Sequence, residues 1–206
     1  MKFDSLIFDM DGTLWDAVDT YADIWKETYR RMGLTGNVTR EMLLDCMGMT
    51  LSEIIDLIAE PGLDRECFAQ ELRIVDSEYM PRYGGQLYPY VKELIPQLAQ
   101  RYKLLMVSNC GPDGLQMFLD FTELRPYFID TLTNGETRLP KDKNIALLME
   151  RHGLKSPIYI GDTEGDCRCS HLAGIPFMHA TYGFGIAPEA DYSGNSFKEI
   201  AEFLLK

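Results

Sequence analysis

Long apolar runs are missing from this 206-residue chain, and no stretch approaches the roughly 20 residues that a membrane-spanning helix requires. The N-terminus shows no basic segment leading into an apolar one with a small-residue cleavage site; it passes directly into Phe3–Phe8. A cytoplasmic protein with no membrane partner is expected. Bases are scarce: 20 Lys and Arg against 32 Asp and Glu give a formal net charge of −12, and no basic cluster stands out. That excludes general adhesion to nucleic acid, whose phosphates are held chiefly by such clusters. The five cysteines, Cys46, Cys67, Cys110, Cys167 and Cys169, form no disulfide framework, and the Cys-Arg-Cys spacing lacks the two-residue gap of zinc knuckles and redox motifs. They read as reduced packing thiols. The three histidines, His152, His171 and His179, lack metal-ligand spacing. Repeats, low-complexity runs and disordered linkers are absent as well. A small partner remains, and an acidic protein binds an anionic one when a divalent cation and one or two local bases reverse the field.

What the chain does have is 46% hydrophobic residues, enough for one sizeable core and a smaller inserted unit. Short apolar runs of strand character occur at Leu6–Phe8, Leu104–Val107, Phe128–Leu132, Ile158–Ile160 and Ile175–Met178. Helical spacing lies between them, at Val91, Leu94, Ile95, Leu98 and Ala99, and at Ile145, Leu148 and Met149 ahead of Gly153. A last helix comes after the Ser196/Glu199 capping-box pair. Strands alternating with helices predict an α/β fold with a parallel sheet covered on both faces, and ligands bind beyond the carboxyl ends of such strands.

Residues 17–86 break the alternation. Only helical patterns occur there: Tyr21, Ile24, Trp25, Thr28 and Tyr29 on one face, a short helix after Thr39, a third behind the Thr50/Glu53 capping box, and a fourth carrying Phe68, Leu72, Val75 and Tyr79 toward Pro81. This predicts an inserted all-helical unit, with hinges near Trp15 and Leu87. Trp15 and Trp25 read as packing at the hinge and in the insertion.

Four polar elements interrupt the scaffold at strand ends or in the loops beyond them. They are Asp9-Met10-Asp11-Gly12-Thr13, Ser108-Asn109, Lys141 after Pro140, and Gly161-Asp162-Thr163-Glu164-Gly165-Asp166. Taken singly, each has an ordinary explanation: an Asp-Gly bend, a cap for the helix after Pro112, a solvated lysine, a capped turn. In a parallel sheet all four converge on one rim, and their order and context argue for a shared task.

On those residues the chain resembles the haloacid dehalogenase (HAD) superfamily, on the side of the magnesium-dependent phosphatases similar to phosphoglycolate phosphatase and beta-phosphoglucomutase. The resemblance spans essentially the whole length and implies a Rossmann-like core of residues 1–16 and 87–206 with a helical cap of residues 17–86. It implies that Asp9 is the nucleophile, Asp11 the general acid and then base, and that Ser108 and Lys141 grip the phosphoryl oxygens, with Thr13 and Asn109 beside them. It also implies Mg²⁺ held by Asp9, the backbone carbonyl of Asp11 and Asp162, with Asp166 supporting the ion through water. The second acid, Asp11, argues for phosphoryl transfer rather than dehalogenation, because halide leaves without a proton. The only lysine in the insertion, Lys26, has no context that favours a Schiff base.

The expected substrate is a small phosphorylated metabolite, phosphoglycolate or a sugar phosphate, and the expected state a monomer or weak homodimer. The alternatives are a phosphomutase similar to beta-phosphoglucomutase, and a non-catalytic phosphate- or partner-binding protein on the same scaffold. The Met47–Thr50 turn reads either as a substrate-facing loop or as a plain turn with Gly48 as cap. Tyr90 reads as narrowing the approach or as starting a helix. No arginine among Arg30, Arg31, Arg40, Arg65 and Arg73 stands in an obvious position for a second anion. Cys110 has no activating base beside it.

Overall fold

The computed structural model describes residues 2–59 and 62–206. Strands β1 (Ser5–Phe8) and β2 (Trp15–Asp16) lead into helices α1 (Val18–Arg31), α2 (Arg40–Leu44), α3 (Leu51–Ile58) and α4 (Arg65–Tyr83). The chain then runs through β3 (Gln86–Leu87), α5 (Val91–Ala99), β4 (Lys103–Ser108), α6 (Gly114–Thr122), β5 (Phe128–Thr133), α7 (Asn134–Thr137) and α8 (Lys141–His152). It closes with β6 (Pro157–Gly161), α9 (Glu164–Leu172), β7 (Phe177–Ala180), β8 (Tyr192–Gly194) and α10 (Phe197–Leu205).

Six strands form one sheet in the order β5-β4-β1-β6-β7-β8, every pair parallel. The expected Rossmann-like α/β fold is therefore present. The strands read as continuous apolar runs because both faces are covered. Leu6 and Phe8 of β1 point with Leu104, Met106, Ile158 and Ile160 into a core that α5, α6 and α10 close. Ile7 points the other way, with Leu105, Val107 and Tyr159, onto α8 and α9. Central β1 thus ends in the middle of the sheet, and the loop from Asp9 to Leu14 emerges between β4 and β6.

The helical segment α1–α4 has an aromatic centre. The Phe68 ring lies 5.2 Å from those of both Trp25 and Tyr29. Its two ends meet: β2 and β3 pair antiparallel, Trp15 opposite Leu87 and Asp16 opposite Gln86. Trp15 packs edge-on against Phe118 of α6 at 4.9 Å, which anchors this ribbon to the sheet's helices.

Two sequence expectations are corrected in detail, and an open alternative is resolved. The run at Ile175–Met178 becomes a strand only from Phe177, because Ile175 N–H closes the turn after α9 on the Ser170 carbonyl. Ser196 caps α10 as expected, but the Glu199 carboxylate accepts from Asn195 N–H, so the reciprocal box is not closed on Ser196 itself. Of the two readings of Tyr90, it is the helix start that the structure has: Tyr90 begins α5 in a left-handed conformation (φ 70°) and is exposed.

Candidate active site

The site is assembled where the carboxyl ends of β1, β4 and β6 meet the first turn of α8. Asp9 comes directly after β1, and its N–H extends the ladder by donating to the Ile160 carbonyl at 2.8 Å. Lys141, the first residue of α8, donates to Asp9 Oδ1 at 3.0 Å and to Asp166 Oδ1 at 2.6 Å. All three side chains are almost wholly buried. Asp162 comes directly after β6, and one oxygen each from Asp9, Asp162 and Asp166 lies within 4.8 Å of the others. Burial works against the Lys141 charge, but Asp166 and Asp9 outweigh it and hold the ammonium well above its ordinary pKa.

Three carboxylates and one ammonium leave this buried volume with a surplus of negative charge. Burial raises the Asp9 carboxyl to about 6 against the pull of Lys141, and burial with Asp166 and Asp9 nearby drives Asp162 well above the usual range. A hard divalent cation with oxygen ligands is what such a donor set lacks, and the residues present fit one.

The two acids Asp162 and Asp166 differ. Asp166 Oδ2 accepts Thr163 N–H, the Thr163 hydroxyl and Asp162 N–H, while its Oδ1 takes Lys141. With its lone pairs so engaged, Asp166 organises the loop and the lysine. Asp162 Oδ2 accepts Phe184 N–H at 2.8 Å, and among the described residues its Oδ1 has only a long contact, 3.4 Å, from the Thr13 hydroxyl. An Asp162 oxygen therefore remains available.

Asp11 sits two residues beyond Asp9 with its carboxylate aimed at the helical segment. Trp15 Nε1 donates to Asp11 Oδ1 at 3.0 Å, and the Tyr21 hydroxyl donates to the same oxygen at 3.1 Å. Burial and the neighbouring Asp9 raise its carboxyl to about 7 despite these donors. The bend between the acids requires Gly12: φ is +77°, and a Cβ there would lie 2.1 Å from Asp162 Oδ2.

Ser108 ends β4, buried, and its Oγ accepts Cys110 N–H. Neither Ser108 nor Asn109 caps α6, whose N-cap residue is Asp113. Asn109 instead reaches across to the helical segment, its Nδ2 donating to the Gly48 carbonyl at 2.7 Å. The Met47–Met49 turn is thereby held over the site. Asp9, Asp11, Ser108, Asn109 and Lys141 line one cavity of about 150 Å³, roofed by Tyr21, Trp25, Gly48 and Asp76. Cys110 lines it too, its thiol pushed up by burial.

Several participants escaped the sequence reading. Tyr21 and Trp15 read as packing residues, yet both donate to Asp11. The loop after β7 supplies Phe184 N–H to Asp162 and the Tyr182 hydroxyl to the Thr13 carbonyl at 2.8 Å. A Cβ at Gly183 would come within 2.3 Å of the Gly12 carbonyl, and the Gly183-Phe184-Gly185 run beyond a strand end is the signal that could have found this loop. Of the five arginines considered, Arg30, Arg31, Arg40 and Arg65 pair with acids, and Arg73 lines the cavity.

Residues 6–180 match the family model described as haloacid dehalogenase-like hydrolase. Over 218 residues the chain is 28% identical to a phosphoglycolate phosphatase of Vibrio vulnificus, covering 97% of this chain and 95% of that protein. A phosphoglycolate phosphatase of Aliivibrio fischeri is 28% identical over 195 residues, covering 87% and 84%. A solved structure described as a predicted phosphoglycolate phosphatase, from Haemophilus somnus 129pt, superposes with a TM-score of 0.86 at 23% identity over 99% of both chains. This last likeness is one of fold.

Proposed function

Because this chain belongs to the haloacid dehalogenase-like hydrolases, we propose that it is a Mg²⁺-dependent phosphatase that cleaves a small phosphate monoester through an aspartyl-phosphate. The observation that carries the reading is the buried quartet of Asp9, Lys141, Asp162 and Asp166, a net anionic set of which Asp9 and Lys141 line a cavity. Residues 17–86 act as a cap that selects the leaving group and excludes water.

Asp9 Oδ1 is held by Lys141, which leaves Oδ2 to attack phosphorus. The bond from phosphorus to the leaving oxygen breaks as the Asp9–phosphorus bond forms. Asp11 delivers its proton to that oxygen. A carboxyl raised to about 7 still holds a proton near neutral pH, which suits the role. Water then attacks the aspartyl-phosphate, Asp11 takes its proton, and phosphate leaves. Ser108 Oγ and Lys141 Nζ steady the phosphoryl oxygens, and Lys141 keeps Asp9 ionised beside an anionic group. Asp9, Asp162 and the Asp11 carbonyl would hold Mg²⁺, which supplies positive charge to the transferring group.

The test is phosphate release from a panel of small monoesters. Activity is expected with Mg²⁺, is lost in EDTA, and drops to background in Asp9→Asn. Metal-independent turnover, or full activity in Asp9→Asn, refutes the reading.

A further inference from the structure

The cavity above the quartet has mostly apolar walls, to which Trp25, Leu43, Met47, Ile54, Leu72 and Met117 contribute. Of the polar groups that the helical segment adds, Tyr21 is occupied by Asp11. Asp76 is different. It sits on the inner side of α4, partly buried, and no hydrogen bond or ion pair to it exists among the described residues. Asp76 lines the same cavity as Asp9, Asp11 and Ser108, and its charge is felt at Tyr21 and at Cys110. Burial and Asp113 at the start of α6 raise its carboxyl to about 6, which shows how poorly its charge is met.

Arg73, one helical turn earlier, lines the same cavity from an exposed position and makes no ion pair with Asp76. A solvated guanidinium at the rim does not offset a carboxylate inside an apolar wall. Asp9, Asp11 and Asp76 all line this cavity, and two of the three Lys141 N–H donors already go to Asp9 and Asp166. A second carboxylate in the substrate would meet repulsion there. A hydroxyl or ammonium would meet an acceptor waiting for a donor.

We propose that Asp76 is the specificity-determining residue for the leaving group, and that the preferred substrate is the phosphate monoester of a polyol or amino alcohol, with an O–H or N–H donor and no carboxylate. This rests on the phosphatase reading and narrows it away from phosphoglycolate. Asp76 makes its contact with a group that does not react, so its effect falls on discrimination between substrates.

The experiment measures kcat/KM with Mg²⁺ for glycerol 1-phosphate, phosphoethanolamine, 2-phosphoglycolate and p-nitrophenyl phosphate, in wild type, Asp76→Asn and Asp76→Leu. The aryl ester has no donor and reports whether each variant is folded and catalytic. Wild type is expected to favour at least one donor-bearing ester over 2-phosphoglycolate by at least tenfold. The ratio of that ester to p-nitrophenyl phosphate is expected to fall at least tenfold in Asp76→Leu, the scale of a lost hydrogen bond to a charged group. In Asp76→Asn, the rate with 2-phosphoglycolate relative to p-nitrophenyl phosphate is expected to rise. Preference for the polyol ester identifies a hydroxyl as the recognised donor, and preference for phosphoethanolamine identifies an ammonium. A wild-type preference for 2-phosphoglycolate, or unchanged ratios in both variants, overturns the assignment of Asp76 while leaving the phosphatase standing. Background rates with every ester in wild type overturn the phosphatase reading, and this inference falls with it.

Discussion

Replacing Asp162 with Asn removes one charge from the buried quartet and nearly nothing else. The amide keeps an oxygen for Phe184 N–H, and Lys141 bonds Asp9 and Asp166 rather than Asp162. Asp162 stands within 4.8 Å of both other carboxylates. At an effective dielectric of about 20, each such repulsion is on the order of 3.5 kcal/mol, and the Lys141 ammonium offsets part of the sum. The protein does not bear that full cost, because Asp162 can take up a proton instead. Protonating a carboxyl of ordinary pKa 3.8 at pH 7 costs about 4 kcal/mol, which is the ceiling on what the amide can return. Metal-free Asp162→Asn should therefore gain about 2–4 kcal/mol, or ~5–15 °C in Tm for a chain of this size. The sign is fixed by the raised carboxyl: its ionisation costs stability as pH rises above about 4, so the gap between variant and wild type closes on acidification. Mg²⁺ at a hundred times its Kd should stabilise the wild type by about 2.7 kcal/mol and leave the variant unmoved. Thermal unfolding in EDTA and in excess MgCl₂ reads both effects. A lower metal-free Tm for Asp162→Asn at pH 7, or an equal Mg²⁺ increment in both proteins, refutes the reasoning.

Other perturbations address neighbouring parts of the site. Tyr21→Phe removes a donor that favours ionised Asp11, so Asp11 should hold its proton to higher pH. The alkaline limb of kcat near pH 7 should move up by up to ~1 unit for alkyl esters and be absent for p-nitrophenyl phosphate, whose leaving group needs no proton; pH–rate profiles check this. Gly12→Ala forces a side chain into Asp162 at a positive φ, so it should lower Tm by several degrees, abolish Mg²⁺ stabilisation and cut kcat at least a hundredfold. Asn109→Ala releases the Gly48 carbonyl and with it the turn above the site, and should raise KM several-fold while lowering Tm by no more than a few degrees, as steady-state kinetics and unfolding will show.

The sheet and its rim were legible because parallel strands buried on both faces leave runs such as Leu104–Val107, and polar residues directly after such runs fall on one edge. Asp9, Ser108 and Asp162 stand at those strand ends, and Lys141 opens the helix that faces them. Helices between residues 17 and 86 were legible from capping signals: Thr39 and Thr50 cap α2 and α3 as their sequence context predicts. The β2–β3 ribbon was not, since two residues per strand carry no periodicity, and β8 is only three residues long with Ser193 exposed. Tyr21 and Trp15 looked like packing because a hydroxyl or an indole N–H contributes nothing to an apolar pattern. Phe184 acts through its backbone, which no side-chain motif records. Asp76 belongs to no motif, and only the tertiary placement of α4 brings it to the cavity.

In the proposed mechanism Asp9 becomes covalently phosphorylated during turnover. Acid quenching under steady turnover with Mg²⁺ and a hydrolysed monoester, with peptide mass analysis of the quenched protein, tests it directly. One phosphoryl group is expected on the peptide carrying Asp9, lost on standing in neutral buffer and absent from Asp9→Asn. Rapid turnover with Asp9 unmodified at every quench time, while Asp9→Asn still releases phosphate, would contradict it.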